Sequence, residues 1–184
     1  MNQLASSGQL RASFLRWALV LVPLVVLLGF ASGRAVNGGP GNAWFDALVK
    51  PGIYPPPALF GIVWSILYVL MGLAAAWVAA SRGAPGRGIA LGLFALQLAV
   101  NLSWSPVFFA LHHISIAFWI IVALAGAVAL TMALFWRVRP GAALLLAPYL
   151  AWVLFASVLN WQFLALNPAA DGAPAPSAVT RVQF

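Results

Sequence analysis

The chain has 184 residues, 64% of them hydrophobic and only 6% charged. A soluble globular domain carries about 25% charged residues, so this chain cannot cover itself with a polar surface, and its composition points to an integral membrane protein of one domain. The formal net charge is +7, but the nine Lys/Arg stand scattered near the ends of apolar runs, against only Asp46 and Asp171. They read as orientation signals and lipid-headgroup contacts, not as a nucleic-acid surface. The absence of cysteine excludes disulfides, thiolate nucleophiles and Cys metal sites.

In chain order, residues 1–13 are expected to be disordered, 14–167 to form the membrane domain, and 168–184, rich in Pro, Ala and Ser, to be a disordered tail. A spanning helix needs roughly 20 mostly apolar residues. Five runs qualify, at about 15–33, 58–80, 88–111, 114–136 and 141–166. They are continuous and lack the period-two alternation of barrel strands, which predicts an all-α bundle of five transmembrane helices. The first run has a basic flank and a small-residue end like a secretory leader, yet it is nearer to spanning length than a leader requires. Between the first two runs lies the longest connection, about 34–57, rich in Gly and Pro, with a short surface helix expected around AWFDALVK. Its length makes it a functional candidate. Arg11, Arg16, Arg82, Arg87, Arg137 and Arg139 fall on one side of the membrane and Arg34, Lys50 and Arg181 on the other. That bias places the amino terminus in the cytoplasm.

The third run contains NLSWSPVFF, residues 101–109, whose polar groups find no partner in lipid. On a helix, residues three, four and seven apart share a face. Gln97, Asn101, Trp104 and Phe108 therefore form one stripe, with Ser105 beside it. The second run offers Trp64 and Tyr68, and the fifth offers Tyr149, Trp152, Ala156 and Asn160. Three helices thus present aromatic and amide side chains that must turn inward, to one another or to a ligand; spacing leaves polar packing and a pocket both open. Trp17, Trp44, Trp136 and Trp161 lie near run ends and read as interfacial belt residues; Trp77 and Trp119 read as belt or packing. Pro106 withdraws an amide and frees the carbonyl of Leu102, which predicts a kink. Gly88, Gly92, Ala95 and Ala99 make a stripe of small residues that suggests a dimer face.

Three segments, KPGIYPPPALFGIVWSILYVLMG (50–72), QLAVNLSWSPVFF (97–109) and APYLAWVLFASVLNWQFLALN (147–167), resemble the TspO/MBR family in order and spacing. These are the tryptophan-rich sensory proteins, whose animal members are called translocator protein or peripheral benzodiazepine receptor. The resemblance covers about residues 42–167. It implies a five-helix dimer with a pocket under the first loop that takes porphyrins and related tetrapyrroles, protoporphyrin IX or haem among them. The positions it implies for the pocket are Trp64, Tyr68, Asn101, Trp104, Phe108, Trp152 and Ala156. The family usually has a tryptophan where Ile53 stands, and Tyr54 is the adjacent substitute. The tyrosine-then-basic pattern for sterol is missing at Tyr54, Tyr68 and Tyr149, so sterol binding is unsupported.

Ordinary enzyme chemistry is poorly supplied, because both carboxylates fall outside the spans and neither an acid pair nor a Ser/His/Asp set can be drawn. No catalytic residue and no metal site is assigned. His112 and His113 sit in an interhelical turn and read as interface residues in preference to haem-iron ligands. Arg34 and Lys50 border the long loop and can attract ligand carboxylates, although headgroup contact is the plainer role for Arg34. The leading expectation is a tetrapyrrole-binding sensor or regulator. A porphyrin transporter, and a light-driven porphyrin-degrading activity through Trp64 and Trp152, are the alternatives. A helical bundle favours an inner membrane, with an outer membrane, as the family resemblance allows, the alternative.

Overall fold

In the computed structural model, the described residues are 7–174. Residues 1–6 and 175–184, parts of the two segments expected to be disordered, lie outside them. The elements in chain order are α1 (Ser7–Ala35), α2 (Ala43–Ala47), α3 (Pro57–Ala80), α4 (Arg87–Ser105), a π-helical turn (Pro106–Ala110), α5 (Ile114–Val138), α6 (Pro140–Leu145), α7 (Ala147–Leu166) and a 3₁₀ turn (Pro168–Ala170). Five spans, 8–35, 57–80, 87–110, 114–138 and 140–166, are long and apolar enough to cross a bilayer. The chain is an all-α, multi-pass membrane bundle, as its runs predicted.

Three boundaries differ from expectation. Residues 7–13 form the first turns of α1. The fifth run is broken at Leu146, with Leu150 N–H reaching back to the Leu146 carbonyl. The break falls two residues before Pro148, which has no amide to carry the helix on and restricts the residue before it. The segment 168–174, expected to be disordered, is tied down by hydrogen bonds described below.

Lipid tails are as apolar as leucine, so close backbone approach and hydrogen bonds hold such a bundle together. α1 packs chiefly on α3, α4 on α5, and α5 on α7. The α1–α3 seam depends on Gly72, where an added Cβ would stand 2.6 Å from the Cα of Val22. Next to it, Ala74, Ala75, Ala76, Val78 and Ala79 are buried along the same helix. At Pro106 the third span departs from α geometry. Leu111 N–H donates to Pro106 O (3.0 Å), the five-residue spacing of a π turn, and His113 N–H closes the turn on Val107 O (3.1 Å). The Leu102 carbonyl freed by the proline accepts the Ser32 hydroxyl of α1 at 2.7 Å. The carbonyl that the proline frees is thereby satisfied by a neighbouring span.

Candidate functional site

Between the spans, under the 36–56 connection, lies a cavity of about 430 Å³. Its walls carry Trp64 and Tyr68 from α3, Asn101 and Trp104 from α4, Phe108 from the π turn, and Trp152 and Ala156 from α7. Tyr54 closes it from the loop, in the place suggested for it, while Ile53 is 42% exposed and takes no part. The three stripes read from helical spacing therefore meet around one hollow. Tyr149 does not line it. Its ring is fully buried behind Trp64 and its hydroxyl donates to Gln97 Oε1 at 3.0 Å, so this part of the α7 and α4 stripes is polar packing.

The aromatic rings are held by one another. Trp64 stacks on Tyr68 (5.1 Å, 29°) and Trp104 on Phe108 (4.9 Å, 20°). Tyr68 OH donates to Asn101 Oδ1 at 3.3 Å, so the group Asn101 can offer a ligand is its amide NH₂. Trp104 Nε1 donates to Asn160 Oδ1 (3.0 Å), and Asn160 Nδ2 to the Ile114 carbonyl (3.0 Å). Trp152 differs. Its indole N–H is buried and has no acceptor. Buried donors are almost always paired; of the three buried side-chain atoms without a partner among the described residues, Ser13 Oγ, Gln97 Nε2 and Trp152 Nε1, only Trp152 belongs to a residue lining this cavity. Arg34 stands exposed at the rim. The polar groups offered to the hollow are thus mainly donors set in aromatic walls, suited to a flat apolar body with an acceptor-bearing or anionic edge.

Several lining residues carried no clear signal in the sequence. Gly29, Phe30 and Gly33 come from α1, which has no aromatic–amide stripe. The Tyr68 ring packs directly over Gly29, where a Cβ would meet its Cε2 at 2.1 Å. A first span serving as a wall of the site is a working part of the fold. Phe60, one turn before Trp64, and Phe163, seven residues after Ala156, extend the stripes and were findable by the same spacing.

The roof is built from α2 and the segment after α7. Asn42 caps α2, accepting the Phe45 N–H (3.0 Å), and donates to the Phe109 carbonyl (3.2 Å). Trp44, expected in an interfacial belt, is instead 3% exposed: it stacks on His112 (4.5 Å, 13°) and donates to the Ala170 carbonyl. Lys50 does not reach the cavity. Its ammonium donates to the Phe45 and Leu48 carbonyls and sits over the Phe45 ring, closing the end of α2. Burial lowers its pKa, partly offset by Asp46. Burial, and then Asp46, raise that of Tyr54, which stays a neutral phenol.

The segment after α7 straps this roof down. Asn167 accepts Val49 N–H (2.7 Å) and donates to Val49 O (3.0 Å). Gly172 N–H donates to His112 O (2.8 Å), and Asp171 accepts Ser115 N–H (3.1 Å) at the start of α5. His112, at φ 60°, is a rare left-handed non-glycine, held there by that bond and by its Nδ1 against the Ala173 carbonyl (2.9 Å). The two histidines thus lie against the strap, and neither lines the cavity.

Five spans around an aromatic-walled cavity under a strapped loop define a multi-pass helical membrane protein with a hollow inside its bundle. Residues 19–166 match the TspO/MBR family, and the chain belongs to it. It is 41% identical to the tryptophan-rich protein TspO of Chlorobaculum tepidum, over 80% of this chain and 93% of that one. Protein CrtK of Rhodobacter capsulatus is 40% identical, over 75% and 85%. The human translocator protein is 37% identical, over 72% and 79%.

Proposed function

We propose that this chain binds a porphyrin in the cavity and acts as a membrane sensor or regulator of tetrapyrrole level. The observation that carries the reading is the Trp152 N–H, unpaired among the described residues, inside an aromatic hollow whose polar lining includes the Asn101 amide, Ser105, Asn37 and the Arg34 rim. A macrocycle brings two apolar faces for the indoles, each aromatic contact contributing about 0.5–1.5 kcal/mol beyond burial. It also brings acceptors for Trp152 and Asn101 and propionates for Arg34. The volume falls in the range of about 300–1,000 Å³ usual for small-molecule sites. The test is quenching of tryptophan fluorescence by protoporphyrin IX, repeated with Trp152→Ala and Asn101→Ala. Saturable quenching in the native chain that weakens in both variants is expected; undiminished quenching in both moves the site elsewhere.

Trp64 and Trp152 share the cavity, which favours a second reading, light-dependent porphyrin degradation with these indoles as oxidisable neighbours. Product analysis with and without light separates it from binding alone. Coupled transport has less support, since both carboxylates lie outside the spans. Gly88, Gly92, Ala95 and Ala99 are all exposed along one outer face of α4, and homodimerisation through that face belongs to the same proposal; Gly92→Leu is expected to yield monomers by sedimentation in detergent. The charge bias sets the amino terminus in the cytoplasm and the cavity roof on the opposite side of an inner membrane. Because the chain is free of cysteine, Asn37→Cys should label only from that opposite side.

A further inference from the structure

At the other end of the bundle, the start of α1, the end of α3 and the start of α6 enclose a second hollow of about 390 Å³. Arg11 and Arg139 stand in its wall beside Leu10, Phe14, Trp77 and Ser81. Its charge is of one sign, because the chain's two carboxylates, Asp46 and Asp171, belong to the roof at the far end. Arg139 Nε donates to Ser81 Oγ (2.9 Å), and Ser81 Oγ donates to the Trp77 carbonyl (2.9 Å). These bonds fix the root of the guanidinium and leave its terminal nitrogens for another acceptor. Arg11 is exposed and has no acceptor among the described residues. The apolar half is equally built. Trp77 lies over Gly141, where an added Cβ would come within 2.8 Å of the indole, and its ring meets Phe14 at 6.2 Å. Trp77 and Leu10 remain 40% and 48% exposed, open to the side where acyl chains lie.

We infer that this hollow is a binding site for one anionic phospholipid, its phosphate held between Arg11 and Arg139 and its first acyl carbons against Trp77 and Phe14. The depth is right: α3 ends at Ala80 and α6 begins at Pro140, so the guanidiniums sit where spans give way to loops. Arginine forks pair with phosphate oxygens through two donors at once. Arg87, whose Nε donates to the Ala79 carbonyl at 3.0 Å, does not line this hollow.

The test is native mass spectrometry of the purified full chain, titrated with phosphatidylglycerol and with phosphatidylcholine of the same acyl length. The native chain is expected to prefer phosphatidylglycerol, R11Q to lose about fivefold of that preference and R11Q/R139Q about twenty-five-fold. R82Q, outside the hollow, should change nothing. R11Q removes no bond among the described residues, so it carries the test even if the double variant is unstable. Equal affinity for the two lipids, or an equal loss in R82Q and R11Q, overturns the inference in favour of diffuse surface attraction. Displacement of the lipid by glycerol phosphate at comparable concentration overturns it in favour of a soluble-anion site.

Discussion

Replacing Asn167 with alanine is expected to loosen the roof of the cavity while the bundle stays folded. The Asn167 side chain makes three hydrogen bonds, two to the backbone of Val49 and one to Phe163 O within its own helix end. Only the first two hold the roof. Each contributes about 0.5–1.5 kcal/mol net, so their joint loss is about 2 kcal/mol, or about a thirtyfold shift toward the unlatched loop. The full penalty for stranded polar groups does not apply, because Val49 is 58% exposed and its backbone can reach water once released. Trp44 keeps its stack on His112 and its bond to Ala170, so the roof loosens without departing. Amide hydrogen exchange is the direct assay: Val49 and its neighbours through Gly52 should exchange about thirtyfold faster. Asn167→Asp retains the acceptor for Val49 N–H and loses the donors, and should give about the square root of that factor, roughly fivefold. Unchanged exchange at Val49, or acceleration spread equally through α3 and α7, would refute the assignment of Asn167 as the latch.

Ser32→Ala strands the Leu102 carbonyl that Pro106 frees, and should lower stability in detergent by about 1–3 kcal/mol, read as a drop in thermal midpoint. Gly29→Ala drives a methyl into the Tyr68 ring; overpacking of this kind costs about 1–3 kcal/mol, and here it should also weaken protoporphyrin binding by displacing Tyr68 from Asn101. Trp104→Phe and Trp152→Phe should part company. The first leaves the Asn160 carbonyl oxygen unpaired and lowers the thermal midpoint, whereas the second removes a donor that has no protein partner, leaving stability level or higher while weakening ligand binding. Equal midpoints for the two phenylalanine variants would refute the difference drawn between these indoles.

Much of the site was legible because a helix repeats every 3.6 residues and lipid offers no hydrogen bonds. Trp64 and Tyr68, Asn101 and Trp104, and Trp152 and Ala156 had to share faces, and their polar atoms had to face inward. What spacing could not do was separate packing from lining along one stripe. Tyr149 and Gln97 lie on the same lines as Trp152 and Asn101, yet they bond to each other in the core, away from the cavity. Nor did local composition reveal Trp44 as a buried prop, or Lys50 as a cap for α2, since both stand in a segment that reads as a surface loop.

By itself, the sequence determined the number of spans, the all-helical class and the inward faces of three helices, because span length and helical period are local properties of the chain in a bilayer. The tertiary structure alone decided that α1 supplies a wall through Gly29, Phe30 and Gly33, that Ser32 closes the gap opened by Pro106, and that 168–174 straps the roof. Each of these is a contact between residues far apart in the chain, made by glycines, a serine and backbone carbonyls whose identities carry no periodic signal until packing brings them together.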